Sequence, residues 1–154
     1  MQDLNQARAM GPVKVALILD DDAAGSDTLR QTLGSLGYEA RVMSDADAAI
    51  EMLRASVDPV AMFFNVEAYG ATLDGRSYAF LIGALLEDPA LARRHIYAVI
   101  SSTADDVEWT LGRALDRLGA PVFRKPCAAT VLETFLTLSR GRMAPPPSPE
   151  VATI

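Results

Sequence analysis

The amino-acid sequence predicts an α/β fold built on a doubly wound parallel sheet, and three observations predict it. Strand-like and helix-like segments alternate five times, the pattern of a parallel sheet joined by right-handed helical crossovers. Val60-Ala61-Met62-Phe63-Phe64 is a continuous apolar run too short for a helix, and such a run reads as a strand buried on both faces. Four of the strand-like segments end on polar residues, Asp20-Asp21, Asn65, Ser101 and Lys125, and open α/β sheets bind ligands just beyond the carboxyl ends of their strands.

Taken in order, the chain justifies each element. Met1 to Gly11 is polar and unpatterned and reads as a flexible leader, so the folded domain is expected over 12–141. Val13–Leu19 is the first strand, followed at once by Asp20-Asp21-Asp22. Ser26 or Asp27 is placed to cap a helix carrying Leu29, Leu33 and Leu36, and Gly37 stops it. Glu39–Met43 is a short second strand. Ser44-Asp45-Ala46-Asp47 resembles a capping box for a second helix whose apolar face is Ala46, Ala49, Ile50 and Leu53. The central strand Val60–Phe64 follows Asp58-Pro59.

Val66 to Asp74 reads as a long loop, and a third helix is expected from about Arg76 to Glu87, ending before Asp88-Pro89. Ile96–Ile100 is the fourth strand, Ala104–Leu118 the fourth helix with Gly119 as its stop, and Pro121–Arg124 the fifth strand. A last helix is expected over about Ala128–Ser139. Residues 142–154 include Pro145-Pro146-Pro147 and Pro149 and read as a disordered, Pro-rich tail.

Composition narrows the function. A chain of 154 residues, half of them hydrophobic, is long enough for one domain with a real core. A net charge of −6 argues against a nucleic-acid surface, which needs a basic patch. The single cysteine, Cys127, excludes a disulfide framework and is expected to be small and partly buried near the last helix. The single histidine, His95, leaves little room for histidine chemistry and is expected on a solvated loop beside Arg93-Arg94. No apolar run is long enough to span a bilayer and no signal-peptide core opens the chain, so a cytoplasmic protein is expected.

The polar strand ends form a chemical constellation. The two carboxylates Asp20 and Asp21, with an oxygen from Asn65, suit a hard cation such as Mg²⁺. Lys125 and the Ser101 hydroxyl opposite them suit the oxygens of a phosphoryl group. In these residues, together with Leu36-Gly37, Asp74-Gly75 and Lys125-Pro126, the chain resembles the receiver domain of two-component response regulators over about residues 13–140. The resemblance implies a flavodoxin-like (βα)5 fold with strand order 2-1-3-4-5. It also implies a Mg²⁺ site at the acidic pair, a phosphoaccepting position at Asn65, and phosphoryl contacts from Ser101 and Lys125.

The departures from that family carry the functional expectation. An amide oxygen is a poor nucleophile toward phosphorus, so Asn65 should not form an acyl phosphate. Losing a carboxylate there should leave Mg²⁺ weakly bound or unbound. The loop after Asn65 lacks the family's usual proline, and the aromatic switch position is Val122, with Phe123 on the next, opposite-facing position. Such linked changes suit a naturally degenerate pseudo-receiver that acts as a phosphorylation-independent interaction module and is not an enzyme.

Other readings stand beside this one. Asp20 and Asp22 could serve a small phosphatase of the haloacid-dehalogenase type, or Glu67 or Asp74 could accept phosphate in place of Asn65. Asn65 is equally read as a hydrogen-bonded strand-end residue, Lys125 as a pin on the acidic cluster, and Ser101 as a neighbour of a helix cap. For partners, a histidine kinase, phosphotransfer protein, other regulator or second copy is expected on the face of the fourth helix, fifth strand and fifth helix. Trp109 and Arg113 should anchor it, because both fall opposite the apolar stripe Val107, Leu111, Ala114, Leu115 and Leu118. The alternative places the indole flat on its own helix or under the tail. On the third helix, Phe80 falls opposite the stripe Tyr78, Leu81, Ile82 and Leu85, either outward or under the Val66–Asp74 loop. No nucleic-acid or membrane partner is expected.

Overall fold

The computed structural model describes residues 14–20, 23–66, 72–73 and 76–143. Five parallel strands form one sheet: β1 (Lys14–Leu19), β2 (Tyr38–Met43), β3 (Ala61–Asn65), β4 (Ile96–Ser101) and β5 (Val122–Arg124). Their order is β2-β1-β3-β4-β5, the expected 2-1-3-4-5. The helices are α1 (Asp27–Ser35), α2 (Ala46–Ala55), α3 (Tyr78–Leu86), α4 (Ala104–Leu118) and α5 (Ala129–Met143).

The apolar strands sort their side chains by pleat. Leu17, Leu19, Met62, Phe64, Tyr97 and Val99 enter one core with Leu53 of α2, Ile82 of α3 and Leu115 of α4. Ala16, Ile18, Ala61, Phe63, Ala98 and Ile100 enter the other with Leu33 of α1 and Leu132 and Leu136 of α5. Continuous apolar strands are required because both faces are covered. Phe64 carries the larger core, meeting Tyr78 edge-on at 5.9 Å and stacking on Tyr97 at 6.4 Å.

The helix signals act as chemistry dictates, with instructive exceptions. The Asp45 carboxylate caps α2, accepting from the N–H groups of Asp47 and Ala48. Gly119 ends α4 in the left-handed region at φ 75°, where a side chain would be strained. Ser26 precedes α1 but makes no side-chain cap bond, because its hydroxyl is engaged elsewhere. The expected third helix loses its start: Arg76–Ser77 instead pairs antiparallel with Thr72–Leu73 of the expected loop as a two-residue ribbon. After α3, the chain makes a short helix, Pro89–Arg94, capped by the Asp88 carboxylate with proline in its first turn. At the far end, α5 runs to Met143, past the boundary expected at 141.

His95 corrects a second expectation: it is buried rather than solvated. Its Nδ1 accepts from the Val60 N–H at 2.9 Å, and its Nε2 donates to the Leu53 carbonyl at 2.8 Å. The ring thus ties the start of β3 to the end of α2. Burial lowers its pKa below the usual 6.5, opposed by the Leu53 bond and aided by the Arg94 charge. Protonation would put a hydrogen on Nδ1, facing the Val60 N–H, so the fold keeps the ring neutral. Among the described residues, no helix is long and apolar enough to cross a membrane.

Candidate functional site at the carboxyl end of the sheet

Strand register assembles the site. Leu19 pairs with Phe64, so the next residues, Asp20 and Asn65, emerge side by side. Asn65 pairs with Ile100, which brings the end of β4 alongside. Ser101 in turn pairs with Arg124, and the Lys125 N–H donates to the Ser101 carbonyl at 2.9 Å. The four polar strand ends therefore lie in one row along the sheet edge, as the sequence predicts.

At the centre of the row three side chains close on one another. The Asn65 Nδ2 donates to Asp20 Oδ2 at 2.9 Å and to Ser26 Oγ at 2.9 Å, with a longer contact of 3.4 Å to the Gly25 carbonyl. The Ser26 hydroxyl donates to the same Asp20 oxygen at 2.6 Å. Ser26 is fully buried. A carboxylate only accepts hydrogen bonds, so the amide must turn its nitrogen toward Asp20 and its oxygen away. The sequence reading set the Asn65 oxygen toward a cation, whereas here it is the amide nitrogen that meets Asp20.

The outer members of the row divide their roles. Ser101 is buried, and its Oγ accepts from the Thr103 N–H at 3.0 Å and lies 3.1 Å from the Thr103 hydroxyl, so it steadies the entry to α4. Lys125 and Asn65 line one cavity of about 410 Å³ with Thr28 and Leu29 of α1 and with Cys127. The peptide between Lys125 and Pro126 is cis. Cys127 is half-buried as expected, and burial raises its thiol pKa, the reverse of thiolate activation.

Val122 packs on the α2–α3–α4 side of the sheet, and Phe123 on the other, where it meets Phe135 of α5 edge-on at 5.3 Å. The aromatic ring of β5 thus serves the α1–α5 core.

On the surface, Trp109 is 92% exposed and Arg113, one turn on, is exposed beside it. Phe80 is 64% exposed on α3, which supports the outward reading. A groove of about 760 Å³ runs between the end of α4, β5 and α5, lined by Phe123, Val131, Phe135 and Leu138 among others. Val131 and Leu138 are themselves large exposed apolar groups. These two residues were not among the sequence expectations, although Val131, Phe135 and Leu138 follow helical spacing.

Ser26 is the member of the central cluster that sequence reasoning placed in another role. Its position just before α1 signals a cap, and only the closure of the chain over β3 reveals its partners. Asp21, Asp22, Glu67 and Asp74 lie outside the described residues, as do the leader and residues 144–154. Among the described residues no group of three or more His, Cys, Asp or Glu side chains could hold a metal ion.

Comparison with known proteins bears on the fold. No family model matches the chain, and no curated protein matches it. Solved structures do. A sensor protein from Polaromonas sp. JS666 is 24% identical, with 86% of this chain and 100% of that chain covered at a TM-score of 0.67. A CheY-like response regulator receiver domain from Methylobacillus flagellatus is 23% identical, with 83% and 99% covered at 0.61. A two-component response regulator from Clostridium difficile is 17% identical, with 86% and 99% covered at 0.63. The fold is that of response-regulator receiver domains.

Proposed function

We propose that the chain is a degenerate receiver of two-component signalling, an interaction module that regulates a protein partner without phosphotransfer of its own. The observation that carries this reading is the orientation of Asn65. The residue at the receiver's phosphoacceptor position presents an amide nitrogen, already donating to Asp20 and Ser26, where phosphoryl chemistry needs a nucleophilic carboxylate oxygen. The switch position supports it as well, since it carries Val122, while the neighbouring ring of Phe123 faces the other side of the sheet and packs on Phe135. The contact surface in this reading is the face of α4, β5 and α5. It combines the exposed Trp109 and Arg113 with an apolar groove, and aromatic and arginine side chains dominate binding hot spots. The occupant is a kinase, phosphotransfer protein, other regulator or second copy.

The test is intact mass after incubation with acetyl phosphate and Mg²⁺. No added phosphoryl group is expected. A stoichiometric gain that disappears in Glu67→Gln or Asp74→Ala would overturn the reading in favour of a displaced acceptor.

A further inference from the structure

The receiver fold implies a Mg²⁺ ion between the acidic pair and the third-strand residue, and among the described residues of that site, Asp20 and Asn65 do not fit one. Magnesium needs oxygen ligands at about 2.0–2.1 Å in near-octahedral array. Here the group from β3 is a nitrogen that bears two hydrogens and has no lone pair to offer a cation. Two oxygens surround it at 2.9 Å, Asp20 Oδ2 and Ser26 Oγ, with the Gly25 carbonyl at 3.4 Å. With no cation between them, rotating the amide to present its oxygen would set an acceptor against a carboxylate oxygen, so the chain alone favours the nitrogen.

We infer that the Asn65 amide, with the Ser26 hydroxyl, is a built-in replacement for the cation. In a site with carboxylates on both strands, like charges a few ångströms apart repel, and a divalent ion offsets that repulsion. In this chain the partial positive charge of the NH₂ group stands between the strand ends instead, and Ser26 supplies a second hydrogen to the same Asp20 oxygen. The charge-assisted geometry is short, as bonds to ionised acceptors are, with 2.6 Å from the hydroxyl. The consequence is a sheet edge whose β1–β3 junction is closed by the polypeptide alone, at any Mg²⁺ concentration. This inference builds on the phosphate-independent reading but is tested without phosphate, so either can fail alone.

The experiment is thermal melting of the full chain and Asn65→Asp, each in EDTA and in about 10 mM Mg²⁺. The wild type should melt at the same temperature in both. Asn65→Asp should melt about 3–6 °C below wild type in EDTA, and Mg²⁺ should restore most of that loss. Adding Asp20→Asn to Asn65→Asp should abolish the Mg²⁺ response, which ties the response to this pair. A wild-type shift as large as that of Asn65→Asp would overturn the inference, because the cation would then bind beside the amide. So would an Asn65→Asp protein as stable as wild type in EDTA, or one that Mg²⁺ does not rescue. If Asn65→Asp does not fold in EDTA, calorimetric titration of the wild type with Mg²⁺ alone decides, and a saturable heat at one site would sink the proposal.

Discussion

Two regions of the molecule treat their demanding side chains in opposite ways. Inside, at the strand ends and under α2, polar groups are matched within the chain: Asp20 with Ser26 and Asn65, and both nitrogens of His95 with backbone groups. Outside, on α4, the largest apolar side chain type stands 92% exposed among Glu108, Arg113 and Asp116. The difference teaches where the fold leaves work undone. A polar cluster that is satisfied on folding asks for no ligand. An indole left wet gains from any surface that covers it. Under the function proposed above, the first region is where phosphoryl chemistry would sit and the second is where a partner would dock, so the proposal has the chain closing one and keeping the other.

Replacement inside should cost stability, and the largest cost is expected at His95. His95→Leu keeps the volume roughly but strips the Val60 N–H and the Leu53 carbonyl of their partners in a buried place. Each orphaned buried group costs about 1–3 kcal/mol, so a loss of about 2–5 kcal/mol in denaturant unfolding is expected. A loss under about 0.5 kcal/mol would show that water or backbone adjustment satisfies these groups, and the interior half of the comparison would fail.

Ser26→Ala comes next. It removes one donor from Asp20 and one acceptor from Asn65 at a fully buried position, for about 1–2 kcal/mol. Unfolding by urea measures it. An unchanged midpoint would mean that the hydroxyl is incidental and that the amide alone holds the strand ends.

The pH response is smaller and has a definite sign. Burial depresses the folded-state pKa of His95 below its usual 6.5. The unfolded chain therefore binds the proton first as pH falls. The stability that His95 contributes is fully present above 6.5 and is lost as pH drops below it toward the folded value, at no more than about 1.4 kcal/mol per pH unit. His95→Gln keeps an acceptor and donors in the ring's place without titrating there, so the difference between its stability and the wild type's should change across that window. Parallel curves would mean that His95 protonates equally in both states.

The contrast between the regions also explains what the sequence disclosed. Local periodicity was enough for the strand positions, for the α2 stripe Ala46, Ala49 and Leu53, and for the α4 stripe that turns Trp109 outward, because each is set within one element. The row of Asp20, Asn65, Ser101 and Lys125 was legible because the ends of parallel strands converge whatever their loops do. Pairings between elements were not legible. Ser26 meets Asn65 across 39 positions and His95 meets Leu53 across 42, and no spacing rule reaches so far. The short helix Pro89–Arg94 is a different case, since its Asp88-Pro89 start is a helix-opening signal that also serves as a stop. The two-residue ribbon gives too few residues for any alternation to show.

Trp109 should have the smallest effect on folding, and that smallness is the sharpest test of the comparison. The side chain is 92% exposed, so its own helix covers little of it, which counts against an indole lying flat on α4. Truncation removes almost no buried area, and surface substitutions of this kind usually stay within about 0.5 kcal/mol. Association is another matter, because aromatic anchors at the centre of an interface cost more than about 1 kcal/mol when cut back. Trp109→Ala should therefore leave the unfolding midpoint nearly unchanged while raising the dissociation constant about fivefold or more, for a second copy in sedimentation or for a purified partner. Arg113→Ala should act in the same direction with a smaller change, because its neighbours still exclude water. Leu138→Glu, across the groove on α5, separates the two sides of the face. If it weakens association as Trp109→Ala does, the whole α4–β5–α5 face is used. If only Trp109→Ala does, contact is confined to the outer side of α4. If Trp109→Ala unfolds the domain and leaves binding per folded molecule intact, the tryptophan is structural and the contact surface lies elsewhere.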